Sequence, residues 1–334
     1  MPRKLEFVGL LPTHGGTDSM PDPRYDFSSN ANALGPCPSV LVAVRNADVT
    51  RYPDPQYTQL RETLAAHHRT TPDRIVVGAG ASELILRLIR CIDGSVTQLA
   101  PTFSEYAHGS RTMRRRLISA RSPAAFLRAQ AAHPGIGFVC WPNNPTGDTW
   151  PLDFISAAAA AGPLVVDLAY ASLCEEGHSA AIEAVAQGAY RLYSPNKAFG
   201  LTGIRGAYVI TPRVDRRLTQ AAPSWVVGRD AVAFLEAVVE PEAHAWLAAA
   251  RPRLQGWRER LAASLQRLGL SVRQSPATFL LAKVGDAARI AESLRRCDIR
   301  VRDAGSFGLR QWIRLSAQPP ATQKALLAAL EKIL

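Results

Sequence analysis

The chain has 334 residues, room for one large domain or two smaller ones, and its 47% hydrophobic and 20% charged residues argue against disorder. The formal net charge is +11, but the basic residues are scattered and only Arg114 to Arg116 form a dense run. An anionic small molecule fits that pattern better than nucleic acid, and no apolar run reaches the roughly 18 residues that cross a bilayer.

In chain order, "MPRKLEFVGLLPTHGG" lacks a small-residue cleavage site, so neither signal peptide nor anchor is expected. Residues 1–45 are loop-rich and read as an N-terminal arm that packs across the rest. "RIVVGAG" reads as a strand followed by the helix "SELILRLIRCI". "SVTQLAP" is a second strand, and "GIGFVCWP" a third that runs into the turn "NNPTGD". "FISAAAAAG" is a helix, and "PLVVDLAY", "AYRLYSP" and "IRGAYVIT" are strands. This alternation implies an α/β large domain over 46–225, a mostly parallel sheet flanked by helices. The last third, 226–334, changes texture. A long helix, "WLAAARPRLQGWRERLAASLQRLG", is expected to break at Pro252. It is followed by "LSVRQS", "TFLLAKV", the helix "AARIAESLRRC", "IRVRD", "QWIRLSA" and a terminal helix, a smaller α+β unit. Five cysteines, odd in number and without a CxxC pair, suit a reduced, cytoplasmic protein, and no spacing suggests a metal site.

Ligands of such sheets gather beyond the carboxyl ends of the strands, and the polar motifs fall there. Lys197 stands in "YSPNKAFGLTGIR" with no other charge until Arg205. A lysine in a dry site can lose its proton and form a Schiff base with a carbonyl, which is what pyridoxal phosphate requires. That cofactor also needs an acid at its ring nitrogen and donors for its phosphate. Asp167 ends the apolar run "PLVVD", where a carboxylate is costly without a buried cationic partner. Tyr170 and Asn144 could reach the ring's phenolic oxygen. "GAGASELI" opens a helix after a strand, so the amides of Gly80, Ala81 and Ser82 can hold phosphate. Ser194 and Arg205 can add a hydroxyl and a guanidinium. "APTFSEY" offers Phe103 and Tyr106 to cover the ring, with the choice open. Singly, these residues also read as caps, turns and core packing. In this order at strand ends they read as one site.

The NPTG turn at Asn144, the pair Asp167-x-x-Tyr170, and Ser194-x-x-Lys197 followed by Arg205 resemble the class I and II aminotransferases, which share the fold of aspartate aminotransferase. The resemblance runs from His14 almost to the C-terminus. It implies pyridoxal 5'-phosphate as cofactor and Lys197 as its Schiff-base lysine and later acid/base. It puts Asp167 on the ring nitrogen, Asn144 and Tyr170 on the phenolic oxygen, and Ser82, Ser194 and Arg205 on the phosphate. It also implies Phe103 at the stacking position, Tyr106 being the alternative, and Arg314 in "QWIRLSA" on the substrate's α-carboxylate. "YPDPQYTQLRETLA" and "VRDAGSFGLRQWIRLSA" resemble the histidinol-phosphate aminotransferase branch. That branch implies a homodimer in which Tyr52 reaches the neighbouring cofactor's phosphate, and Arg302 on a substrate phosphate. "THGGT" and "YDFSSNANALG" resemble the threonine-phosphate decarboxylases of cobalamin biosynthesis, which implies His14 and Asn32 as substrate-side residues. The expectation is an enzyme on a phosphorylated amino acid, with threonine-phosphate decarboxylation first and the histidinol-phosphate aminotransferase reaction as the alternative. A non-catalytic homologue ranks below both. Asn196 departs from the Thr, Ser or Gly usual before the lysine.

Overall fold

Short apolar runs of the first two thirds form strands buried along their whole length, as strands under helices on both faces must be. The computed structural model describes residues 14–174 and 176–334; the first thirteen residues of the expected arm lie outside the described residues. In chain order the elements are β1 (Tyr25–Asp26), α1 (Pro38–Arg45), α2 (Thr58–His67), β2 (Ile75–Gly78), α3 (Ala81–Cys91), β3 (Ser95–Leu99) and α4 (Ser104–Thr112). Then come β4 (Leu117–Ala120), α5 (Pro123–Ala132), β5 (Gly135–Cys140), α6 (Leu152–Ala161), β6 (Leu164–Asp167), α7 (Glu176–Val185), β7 (Tyr190–Tyr193) and β8 (Ala207–Ile210). The last third holds α8 (Arg216–Gln220), α9 (Arg229–Ala237), α10 (Pro241–Arg267), β9 (Val272–Arg273), β10 (Phe279–Lys283), α11 (Ala287–Arg296), β11 (Ile299–Arg300), β12 (Arg302–Asp303), β13 (Trp312–Ser316) and α12 (Pro320–Ile333).

The α/β architecture is a seven-stranded sheet in the order β2-β8-β7-β6-β5-β3-β4. Only β8 runs against its neighbours. Residues 194–206, between β7 and β8, include no helix, and a parallel return needs a longer crossover. The chain therefore leaves the sheet at Ser194 and re-enters at the same edge just after Arg205.

A four-stranded antiparallel sheet, β12-β13-β10-β9, forms the smaller unit. The N-terminal segment joins it through β1, which pairs parallel with β11. Side chains from Val227 to Leu254 pack in the larger buried cluster together with Ala277 and Phe279, while Leu261, Leu265 and Leu280 belong to the smaller one.

α10 does not break at Pro252. The ring frees the carbonyl of Ala248, and both residues face solvent, so water satisfies it. Burial of Leu247, Ala250 and Leu254 holds the helix together across the proline.

Phe27 anchors the N-terminal segment. Its side chain is fully buried in the smaller cluster, its N–H donates to Arg300 O at 2.8 Å, and its carbonyl accepts from Ser316 N at 3.0 Å. Phe27→Ala is expected to lower stability by about 3–5 kcal/mol, read as a lower urea midpoint at unchanged slope.

Candidate active site

The carboxyl ends of β2, β3, β5, β6 and β7 open onto one cavity of about 560 Å³, whose walls include Lys197, Asp167, Asn144, Arg205, Arg302 and Arg314. Asp167 is the last residue of β6 and is 2% exposed. Its carboxylate accepts from the Tyr106 hydroxyl at 2.7 Å and from Ala169 N at 3.0 Å. Burial pushes the carboxyl above the usual carboxylate range, against the Tyr106 hydrogen bond and the charge of Lys197.

Those bonds correct one expectation. Tyr106 is fully buried, stacks on Phe138 at 4.7 Å and is not among the residues that line the cavity. A buried hydroxyl needs a partner, and Asp167 is that partner. Of the two aromatic candidates, Phe103 lines the cavity.

A second correction concerns Asn32, which lies beneath the lysine segment rather than on the cavity. Its N–H donates to Lys197 O at 2.8 Å, its Nδ2 to Ala198 O at 3.0 Å, and its Oδ1 accepts from Leu34 N at 3.0 Å. The asparagine on the cavity is Asn30, 3% exposed, with Nδ2 donating to the Tyr170 hydroxyl at 3.4 Å and Oδ1 unpartnered. Two asparagines in "SSNAN" carried no signal to tell them apart. Asn196 lines the cavity and also braces the loop: its Oδ1 accepts from Ser194 Oγ at 3.1 Å and its Nδ2 donates to Thr202 O at 3.5 Å. Lys197 thus sits on a backbone pinned from both sides, with Nζ 5.4 Å from the centre of the Tyr170 ring.

Gly80 caps α3 at φ +91°, a conformation that favours glycine. A Cβ there would also collide with the Arg205 guanidinium. The guanidinium therefore lies against the N-terminus of α3, where Ala81 and Ser82 line the cavity together with Ser194. Helix amides, hydroxyls and a cation converge on this corner, which suits a phosphate.

Across the cavity, β12 and β13 place Arg302 directly opposite Arg314. Each is 4% exposed. Like charges opposite one another are unfavourable, and buried guanidinium groups need anions. Arg314 donates through Nη2 to Ser28 O at 2.8 Å and through Nη1 to Asn144 Oδ1. Arg302 donates to Asp303 O at 2.5 Å and Ser306 Oγ at 2.6 Å. Burial, then the charge of Arg314, lowers the Arg302 pKa to about 10. The Arg314 guanidinium is held here by two neutral acceptors, which leaves its charge for a ligand anion.

His14 lines the cavity, and Tyr52 does not: it is 73% exposed and stacks on Trp225 at 4.5 Å. Among the described residues no three side chains form a metal cluster, and no helix is long and apolar enough to cross a membrane.

The donor set fits pyridoxal phosphate. The buried Asp167 carboxylate calls for a cation such as a protonated ring nitrogen. The Gly80–Arg205 corner is a phosphate cradle that a Cβ would fill, and Asn144 keeps its Nδ2 for an oxygen.

The raised Asp167 pKa has a consequence for the protein without cofactor. The native state holds that proton more tightly than the unfolded chain, so stability falls as pH rises from the unfolded pKa through the folded one. Asp167→Asn is expected to be more stable than the parent at neutral pH without cofactor, the gap closing under acid, while cofactor affinity drops. Thermal melts across pH and cofactor titration check both.

The family model for class I and II aminotransferases matches residues 23–333. A histidinol-phosphate aminotransferase of Haloferax volcanii is 29% identical over 336 residues, covering 94% of this chain and 90% of that protein. The adenosylcobalamin biosynthesis bifunctional protein CobDQ of Leptospira interrogans is 26% identical over 360 residues, covering 97% of this chain and 41% of its own length. Among solved structures, histidinol-phosphate aminotransferase from Sinorhizobium meliloti in complex with pyridoxal-5'-phosphate superimposes with a TM-score of 0.85 at 25% identity, over 93% of this chain and 91% of that one. With its lysine and aspartate at the carboxyl edge of the large sheet and two arginines across the cavity on the small one, the chain belongs to the class I and II aminotransferases.

Proposed function

We propose that this pyridoxal-phosphate enzyme transaminates a small phosphorylated amine, in the manner of its histidinol-phosphate aminotransferase relatives. The observation that carries the reading is the buried Arg302–Arg314 pair, which can receive two carboxylates of an amino donor or the phosphate of an amine in turn. The Haloferax and Sinorhizobium relatives support this reaction better than the decarboxylation expected first from the sequence.

Bound pyridoxal phosphate supplies an electron sink for bond cleavage at the amine-bearing carbon. Asp167 holds a proton at the ring nitrogen, because its buried carboxylate needs that cation. Lys197, once its amine is free, moves a proton to and from the substrate carbon. Asn144 and Tyr170 hold the phenolic oxygen, and Phe103 covers the ring. Gly80, Ala81, Ser82, Ser194 and Arg205 hold the cofactor phosphate. Arg314, braced by the Ser28 carbonyl and Asn144, orients a carboxylate, while Arg302 holds the distal anion. Tyr52, exposed and turned away from this cavity, serves a second subunit of a homodimer. Five free cysteines suit the cytoplasm.

A second reading, decarboxylation of phosphothreonine, is favoured by one observation. His14, Gly15 and Gly16 line the cavity beside Arg314, and phosphothreonine carries both anions in one small molecule. The two reactions separate cleanly. Holoenzyme given histidinol phosphate and 2-oxoglutarate is expected to form glutamate. Release of CO2 from O-phospho-L-threonine without any keto acid, and no glutamate from the first pair, overturns transamination in favour of the decarboxylase.

A further inference from the structure

Glu105 lies outside the chemistry described so far, yet its burial needs a reason. It sits in the first turn of α4 and is 5% exposed. The positive end of the helix favours a carboxylate there, but a buried charge also needs a hydrogen-bond partner. Among the described residues its one side-chain partner is His14, whose Nε2 lies 2.9 Å from Glu105 Oε1. The partner belongs to the N-terminal arm, 91 residues away in sequence, and its side chain is 45% exposed.

The same arm covers the cavity. His14 packs its ring 5.7 Å from that of Phe103. Gly15 lies so close to the Ser28 carbonyl that a Cβ would collide with it, and that Cβ would stand 3.3 Å from Arg314 Nη2. Gly16 N donates to Ser28 Oγ at 2.9 Å. Ser28 in turn gives its carbonyl to Arg314. A continuous path of contacts therefore runs from Glu105 through the arm to the arginine that faces substrate.

We infer that Glu105 is a positioning residue: its carboxylate latches His14 so that residues 14–17 close over the cavity and set Arg314 for an anionic substrate. Closure excludes water, which strengthens every charge interaction inside. Opening would leave Glu105 buried without its partner, so the latch favours the closed arm even before substrate arrives. The substrate-side part of this inference rests on the proposed reaction; the latch does not.

Amide hydrogen exchange of the holoenzyme without substrate tests the latch alone. Glu105→Gln keeps the shape but loses the charge, and residues 14–17 are expected to exchange about tenfold faster, the scale of one charge-assisted hydrogen bond. Unchanged exchange at 14–17 overturns the inference. With substrate, Glu105→Gln is expected to raise KM about tenfold with little change in kcat. His14→Ala, placed on the arm and harmless to α4, should do the same, and adding Glu105→Gln to it should cost nothing further. If the two effects multiply instead, Glu105 acts on α4 rather than through His14, and the inference falls.

Discussion

Two buried guanidinium groups facing one another across a small antiparallel sheet set the terms for the rest of the site. Arg302 and Arg314 are adjacent in register and almost fully buried. Their donors reach the Asp303 carbonyl, Ser306, the Ser28 carbonyl and Asn144. Neutral acceptors orient cations without cancelling them. Arg314 thus keeps its charge for an entering anion, and Arg205 lines the same cavity at the Gly80 corner.

Between these two corners lies the lysine segment, which is stiffened by the hydrogen bonds of two asparagines. Asn32 ties the carbonyls of Lys197 and Ala198 to the N-terminal segment, and Asn196 ties Ser194 to Thr202. Because β8 is antiparallel, the segment is anchored at both ends to the same sheet edge. Lys197 is thereby fixed relative to Asp167 one strand away. Tyr106 performs the same service for Asp167 from the side opposite the cavity. Asparagine appears in these roles because one amide can donate and accept at once.

Much of this was legible in the chain itself. Strands such as "PLVVD" and "GIGFVC" declare themselves by length and β-branched content, and residues at their carboxyl ends must lie at one edge of a parallel sheet. That rule alone brings Asn144, Asp167, Ser194 and Lys197 together. Other positions were opaque for physical reasons. A proline signals a helix break only if the freed carbonyl lacks another partner, and at Pro252 solvent supplies one. An aromatic hydroxyl next to a strand end can face a cofactor or a carboxylate, and only packing on Phe138 decides for Tyr106.

The sequence by itself pointed to Lys197, Asp167 and Gly80 as one candidate site and showed the alternation that makes the sheet mostly parallel, because strand ends and turns are written in neighbours within a few residues. Only the tertiary structure decided that Asn30 rather than Asn32 reaches the cavity, that Arg302 lies against Arg314, and that Glu105 meets His14. Those outcomes depend on which segments pack together across hundreds of residues, and hydrogen bonds of that span leave no periodic trace in a sequence.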